Sequence, residues 1–266
     1  MKIMGIVNVT PDSFSDGGEV FGSVDKAIEK AMDLYKLGAS YIDIGGESTR
    51  PGSDPIDVEE ELNRVIPVIE KLKGKIPNIS VDTYKSKVAE KAILSGATMV
   101  NDISGLRFDP NMVDVVASYD VEVVIMHIKG TPKDMQKNPF YEDVIDELLK
   151  YFDERVNFAI KRGIKEHKIW IDPGIGFGKR LEDNIKIMNN IDKFKKFGLK
   201  ILMGTSRKSF IDMLLEYNTQ PKERDFGTIA TTLYFYDKGI DMVRVHNVEA
   251  NIQALKVYKA IKEGIY

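Results

Sequence analysis

The feature that most constrains this chain's fold is an alternation repeated eight times: a short apolar run, then a longer stretch with helical periodicity. Apolar runs of about 4–8 residues bounded by Gly, Pro or polar residues predict buried strands. They fall at residues 3–8, 41–45, 79–83, 99–103, 122–127, 169–172, 201–205 and 242–246. Segments between them, such as 24–37, 58–73, 85–94, 143–161 and 184–197, space their apolar residues as helices do. Gly38, Gly96, Gly163, Gly198 and Gly239 each follow a helical run, where a C-terminal cap favours glycine. Eight strand–helix units in 266 residues predict an α/β protein, a single (β/α)8 TIM barrel over residues 1–266. An open, doubly wound sheet is the competing arrangement of the same units. No linker, low-complexity tract or charge block divides the chain.

Composition narrows the function. A hydrophobic fraction of 43% and a formal charge of −3 suit a globular core without the basic face that nucleic-acid binding needs. No apolar run approaches the roughly 18 residues that would cross a bilayer, and residues 1–8 lack a signal-peptide layout. The absence of cysteine removes thiol nucleophiles and thiolate metal sites and fits a cytoplasmic setting. Three histidines argue, on composition alone, against a multi-histidine metal centre.

In such barrels the reactive groups stand at the C-terminal ends of the strands. Here those ends carry Asn8, Asp43, Asp82, Asn101, His127, Asp172, Ser206 with Lys208, and Arg244 with His246. One or two of these could cap the following helices, but polar groups at all eight ends exceed what capping requires. Three carboxylates and two amides converging on one mouth are costly to bury unless they bind a ligand or one another. The order Ile169-Trp-Ile-Asp-Pro-Gly-Ile-Gly-Phe-Gly-Lys179 puts Asp172 where a buried strand meets a tight loop. Its glycines allow the backbone to approach something flat or anionic. Two loops are long, 9–22 and 46–56, and their Gly, Ser and Asp content suggests lids that bring Phe14 and Arg50 onto a substrate. Gly204-Thr-Ser-Arg-Lys-Ser209 opens a helix after strand 7 and reads as an anion site, to which Arg244 and His246 add two groups on one face of strand 8. The plainer alternatives are a surface ion pair for Arg244, a satisfied core His246 and ordinary loop anchoring for Phe14. His127 reads as packing or support, and His167 as solvated. These residues point to a phosphate-bearing ligand rich in hydrogen-bonding groups, without fixing the reaction.

Together the motifs resemble the dihydropteroate synthase family of the folate pathway. Asn8-Val-Thr-Pro-Asp-Ser-Phe-Ser-Asp-Gly-Gly18 and Asp43-Ile-Gly-Gly-Glu-Ser-Thr-Arg-Pro-Gly52 resemble its two long signatures. Ser80-Val-Asp-Thr83, Asn101-Asp-Ile103, Met126-His127, residues 172–178, Ser206-Arg-Lys208 and Arg244-Val-His246 follow in family order. The resemblance implies condensation of (7,8-dihydropterin-6-yl)methyl diphosphate with 4-aminobenzoate, giving 7,8-dihydropteroate and diphosphate. It implies Asp82, Asn101, Asp172 and Lys208 around the pterin, and Asn8, Thr49, Arg244 and His246 around the diphosphate. Asn8 is then a ligand of Mg²⁺, while Phe14, Arg50, Pro51, Phe177 and Ser209 surround the aminobenzoate. Catalysis falls to Asp82, Lys208, Arg244 and His246. A homodimer is the implied assembly.

Two other readings share the pterin-holding residues: a methyltransferase barrel donating to a corrinoid protein, and a non-catalytic pterin-binding module. The first does not need the Ser-Thr-Arg-Pro-Gly loop or a diphosphate site, and the second does not need Asn8, Arg50 and Lys208 together. Departures from the family's commonest forms are Tyr84, Ile128-Lys129-Gly130, Asn247 and a start almost at strand 1, so an altered pocket shape and a differently closed barrel bottom are expected.

Overall fold

Eight parallel strands close on themselves in sequence order, and β8 pairs back onto β1. The computed structural model of the chain describes residues 1–10 and 20–264. The strands are β1 (Lys2–Asn8), β2 (Tyr41–Gly45), β3 (Ile79–Asp82), β4 (Met99–Asp102), β5 (Glu122–Met126), β6 (Ile169–Asp172), β7 (Lys200–Met203) and β8 (Met242–Val245). Around them run α1 (Val20–Lys36), α2 (Val58–Leu72), α3 (Ser86–Ser95), α4 (Met112–Tyr119), α5 (Val144–Lys161), α6 (Leu181–Asn189), α7 (Ser209–Leu215), α8 (Asp225–Asp237) and α9 (Val248–Glu263). Closure rules out the open sheet. The expected helix over 184–197 breaks in two, because the Asn190 N–H is shared between the carbonyls of Lys186 and Ile187. The chain tightens there from α6 into a 3₁₀ stretch, Ile191–Phe197. The five cap glycines all adopt positive φ, from 65° at Gly239 to 129° at Gly96.

Side chains alternate across each strand, so outward residues pack the helices and inward residues fill the barrel. Met4, Tyr41, Met99, Val124, Trp170, Leu202 and Met242 form a separate inner cluster, all buried. Two residues further along stand Ile6, Asp43, Asn101, Met126, Asp172, Gly204 and Arg244. A largely polar layer therefore sits directly on an apolar plug, and the period-two alternation alone dictates which residues enter it.

The opposite end is closed by a carboxylate and aromatic rings. Tyr41 Oη and Trp170 Nε1 donate to Glu122 at 2.7 and 2.9 Å. The Lys2 ammonium lies 5.2 Å from the Tyr41 ring centre, and that of Lys200 lies 4.8 Å from Trp170. Removing Glu122 strands two largely buried donors. Glu122→Ala is expected to lower stability by about 1–3 kcal/mol, seen as a lower urea midpoint with an unchanged slope.

Candidate active site

At the C-terminal mouth, the arrangement is organised by Arg244. Its Nε donates to Asp43 Oδ2 at 2.6 Å and its Nη2 to Asp82 Oδ2 at 2.7 Å. Asp43 also accepts from Asn101 Nδ2 at 3.1 Å. A carboxylate without a proton can only accept, so it turns the Asn101 amide with Nδ2 inward and leaves Oδ1 as the outward acceptor. Asp43 is fully buried and Asp82 nearly so. Burial works against the Arg244 cation, but Asp43 and Asp82 outweigh it and raise its pKa. Burial pushes the Asp82 carboxyl up; Arg244 opposes the shift, and neighbouring Asp43 adds to it. The surface ion pair that strand position alone allowed for Arg244 is thus corrected: its partners lie inside the barrel.

Asp172 and Lys208 form the other wall. Asp172 Oδ1 accepts from the Gly174 N–H at 2.7 Å. Burial drives the Asp172 carboxyl up, with Lys208 and that N–H resisting. The Lys208 ammonium donates to the Ile175 carbonyl and lies 4.5 Å from the centre of the Phe177 ring. Burial pushes it down to about 8, against the pull of Asp172. Near β8, Ser206 Oγ accepts from the His246 backbone N–H at 3.1 Å and lies 2.8 Å from Nδ1, leaving Nε2 for a ligand. Burial first, then Arg207, Arg244, Lys30 and Arg50, push His246 down to about 3, so the ring is neutral near pH 7.

Two glycines keep the floor open. A methyl group at Gly45 would sit 3.6 Å from both Asn8 Oδ1 and Asp82 Oδ2. One at Gly204 would sit 3.7 Å from Asp172 Oδ2 and 3.8 Å from Lys208 Nζ. The glycines after Asp172 serve a different purpose from the one the sequence suggested. Gly174 and Gly178, at φ of 70° and 65°, have their Cβ positions 2.0 Å from the His127 carbonyl oxygen and 2.4 Å from that of Lys129. What approaches them closely is the chain's own β5–α5 loop.

Among the other expected residues, Asn8 lies beside Asp82 across Gly45, and Arg50 is exposed near enough to act on the charge of His246. Thr49 and Pro51 flank it on a loop tied at its tip by the Gly52 N–H to the Pro132 carbonyl, at 2.9 Å. Ser209 is exposed at the first position of α7. Phe14 lies outside the described residues. His127 is buried against Tyr151 with ring centres 4.8 Å apart, a supporting residue as expected, and His167 is exposed. Of the departures, Tyr84 bonds Glu47 at 2.6 Å and packs on Phe108, while the Lys129 ammonium sits 4.0 Å from the centre of the Tyr141 ring. Asn247 caps α9 and bonds Asp225, which also grips Arg207. The buried Lys179 carried no functional expectation; the loss of solvent that marks it arises only when two loops meet.

Residues 4–246 match the profile of the pterin binding enzyme family. A dihydropteroate synthase of Synechocystis sp. is 45% identical over 97% of this chain and 89% of its own. The chain belongs to the dihydropteroate synthase family. A dihydropteroate synthase of Clostridium difficile, solved in the presence of pteroic acid, superposes with a TM-score of 0.90 at 48% identity, covering 98% of this chain and 96% of the other. One from Xanthomonas albilineans, in complex with 7,8-dihydropteroate, gives 0.87 at 39% identity, covering 98% and 93%. The bare floor at Gly45 and Gly204 is what a flat ligand would need beneath it. Gly204→Ala is expected to fold with an unchanged melting temperature, because the added methyl meets only ordinary contacts. Its affinity for a pterin should fall by about 1–3 kcal/mol in calorimetric titration.

Proposed function

We propose that the chain condenses (7,8-dihydropterin-6-yl)methyl diphosphate with 4-aminobenzoate, releasing diphosphate and forming 7,8-dihydropteroate. The observation that carries this reading is the convergence of Asp82, Asn101, Asp172, Lys208 and Arg244 on one barrel mouth, in a chain so similar to dihydropteroate synthases. Asp172 spends one lone pair on Gly174 and keeps both oxygens available, so it can accept two parallel N–H bonds from the amino-pyrimidine edge of a pterin. Asn101 and Lys208 supply an acceptor and a donor beside it. Phe177, stacked under Lys208, offers an aromatic face for the aminobenzoate, with Arg50, Pro51, Ser209 and Phe14 completing that side.

The chemistry proposed is departure of diphosphate before attack by the aromatic amine. Departure places negative charge on the leaving group and positive charge on the pterin methylene. Arg244 uses two of its five N–H groups on Asp43 and Asp82, leaving three for diphosphate oxygens. His246 offers its free ring nitrogen, and Thr49 its hydroxyl. Asp82, held in place by Arg244, faces the developing cation, whose positive charge would favour its ionised form, and a group already positioned in this way stabilises charge without reorganising. The loop that carries Thr49 and Arg50 would help to exclude water from the cation.

Mg²⁺ is part of the same proposal. Among the described residues no group of three or more His, Asp or Glu side chains could hold a metal. The available donor is the Asn8 amide oxygen beside Asp82, which fits an ion that takes few protein ligands and completes its shell with phosphate oxygens and water. Bound there by Asn8, it would neutralise charge on the diphosphate.

A homodimer is proposed on the exposed apolar side chains of α7, the link after it and the start of α8, where Leu214, Tyr217 and Phe226 are 54%, 77% and 85% exposed. A cytoplasmic setting rests on the family assignment; no helix among the described residues is long and apolar enough to cross a membrane.

Incubation with both substrates and Mg²⁺ should yield dihydropteroate and diphosphate in equal amounts, and finding neither would defeat the assignment. Asp172→Asn should weaken pterin binding by about 2–4 kcal/mol, because an acceptor becomes an amide that cannot accept with both atoms. Unaltered affinity by calorimetry would move the pterin elsewhere. Phe226→Asp should shift sedimentation from dimer to monomer.

A further inference from the structure

Lys179 is a buried lysine that the proposed reaction does not use. Only 2% of it is exposed, yet its Nζ meets three polar atoms: it lies 2.9 Å from His127 Nδ1 and donates to the His127 carbonyl at 3.3 Å and the Phe177 carbonyl at 3.0 Å. It thereby ties the loop after β5 to the loop after β6. The same loops are pressed together at Gly174, whose Cβ position lies 2.0 Å from the His127 carbonyl oxygen and 3.4 Å from Lys179 Nζ. Gly174 in turn holds Asp172 through its N–H, and the His127 N–H donates to the Asp172 carbonyl at 3.0 Å. Lys179 is therefore linked to Asp172 through Gly174 and His127, whereas the open floor at Gly204 is reached from the other carboxylate oxygen, Oδ2.

We propose that Lys179 is a positioning residue for Asp172: its ammonium, clasped by the two loops, keeps that carboxylate ionised and aimed as a double acceptor for the heterocycle. The inference rests on the assignment of Asp172 to a pterin. Three acceptors around one nitrogen match the three hydrogens of an ammonium, whereas a neutral amine has two. Burial, helped by Lys208 and Lys129, brings the Lys179 ammonium well below the usual lysine range, while Asp172 and Asp183 pull it back up, so it is the three-fold clasp that argues for the charged form. Seen from Asp172, burial favours the neutral acid, and the opposing groups are Lys208, the Gly174 N–H, Lys179 and Arg244. His127 adds no charge, since burial and the neighbouring Lys179, Arg107 and Lys129 hold its pKa well down. Losing one positive charge near Asp172 makes it bind its proton at higher pH.

The test is the pH dependence of 6-hydroxymethylpterin affinity, measured by calorimetry on the full chain and on two variants. Lys179→Met removes charge and donors; Lys179→Gln removes the charge but can still donate to the two carbonyls. In both, the acid limb along which affinity is lost should move to higher pH by at least half a unit. Loss of affinity by one factor at every pH, with the limb unmoved, would make Lys179 a mechanical staple and overturn the proposal. A ¹⁵N spectrum of the unaltered chain needs no variant to fold. It should show His127 with Nε2 protonated and Nδ1 bare; a proton on Nδ1 would mean a neutral lysine and would equally overturn it. If the unaltered chain failed to bind the pterin, the assignment of Asp172 would fall and this inference with it. Failure to form dihydropteroate with pterin binding intact would reject the reaction alone.

Discussion

The guanidinium of Arg244, held between Asp43 and Asp82, is the interaction on which the candidate site depends. Two carboxylates at the centre of a barrel cannot both remain charged without a cation between them, and the cation could not be buried without them. Removing either side would leave uncompensated charge in a poorly solvated space. The arrangement also organises its neighbours: Asp43 orients Asn101, while the unused N–H groups of Arg244 remain for an anion. Such a cluster contributes little net stability, but it supplies fixed charges before any ligand arrives.

Packing below the cluster makes that charge density possible. Met4, Met99, Trp170, Leu202 and Met242 fill the barrel and present a dry floor, so the polar layer has nowhere to relax downward. Above it, Gly45 and Gly204 leave space where any side chain would intrude among Asn8, Asp82, Asp172 and Lys208. Shape is thus set by what the strands omit as much as by what they carry.

The loops after β5 and β6 form a second unit. Gly174 and Gly178 allow two backbones to come into contact, and the Lys179 ammonium saturates the carbonyls gathered there. Phe177 and Asp172 are fixed by the same contact. A separate network around Glu47, which accepts from Tyr84, Lys85 and the Ile56 N–H, anchors the base of the loop that carries Thr49 and Arg50. Tyr84 spends its hydroxyl in that anchoring, and its ring packs with Phe108 against the apolar cluster of Ile103, Met126, Ile128 and Met135.

The eight strands, the glycine caps and the list of polar tips were legible in the order of residues, because apolar runs and period-two alternation are local properties that survive in any context. That order also carried the family resemblance, through signatures long enough to be specific. Which tips would touch was decided only in three dimensions. Arg244 meets Asp43 across 201 positions of sequence, a contact that exists because β8 closes onto β1. The role of Lys179 stayed illegible for the same reason: a lysine after a glycine-rich turn looks solvated until another loop removes its water. Strand identity follows from neighbours along the chain, whereas burial, and with it the charge state and partners of an ionisable group, follows from the closing of the barrel.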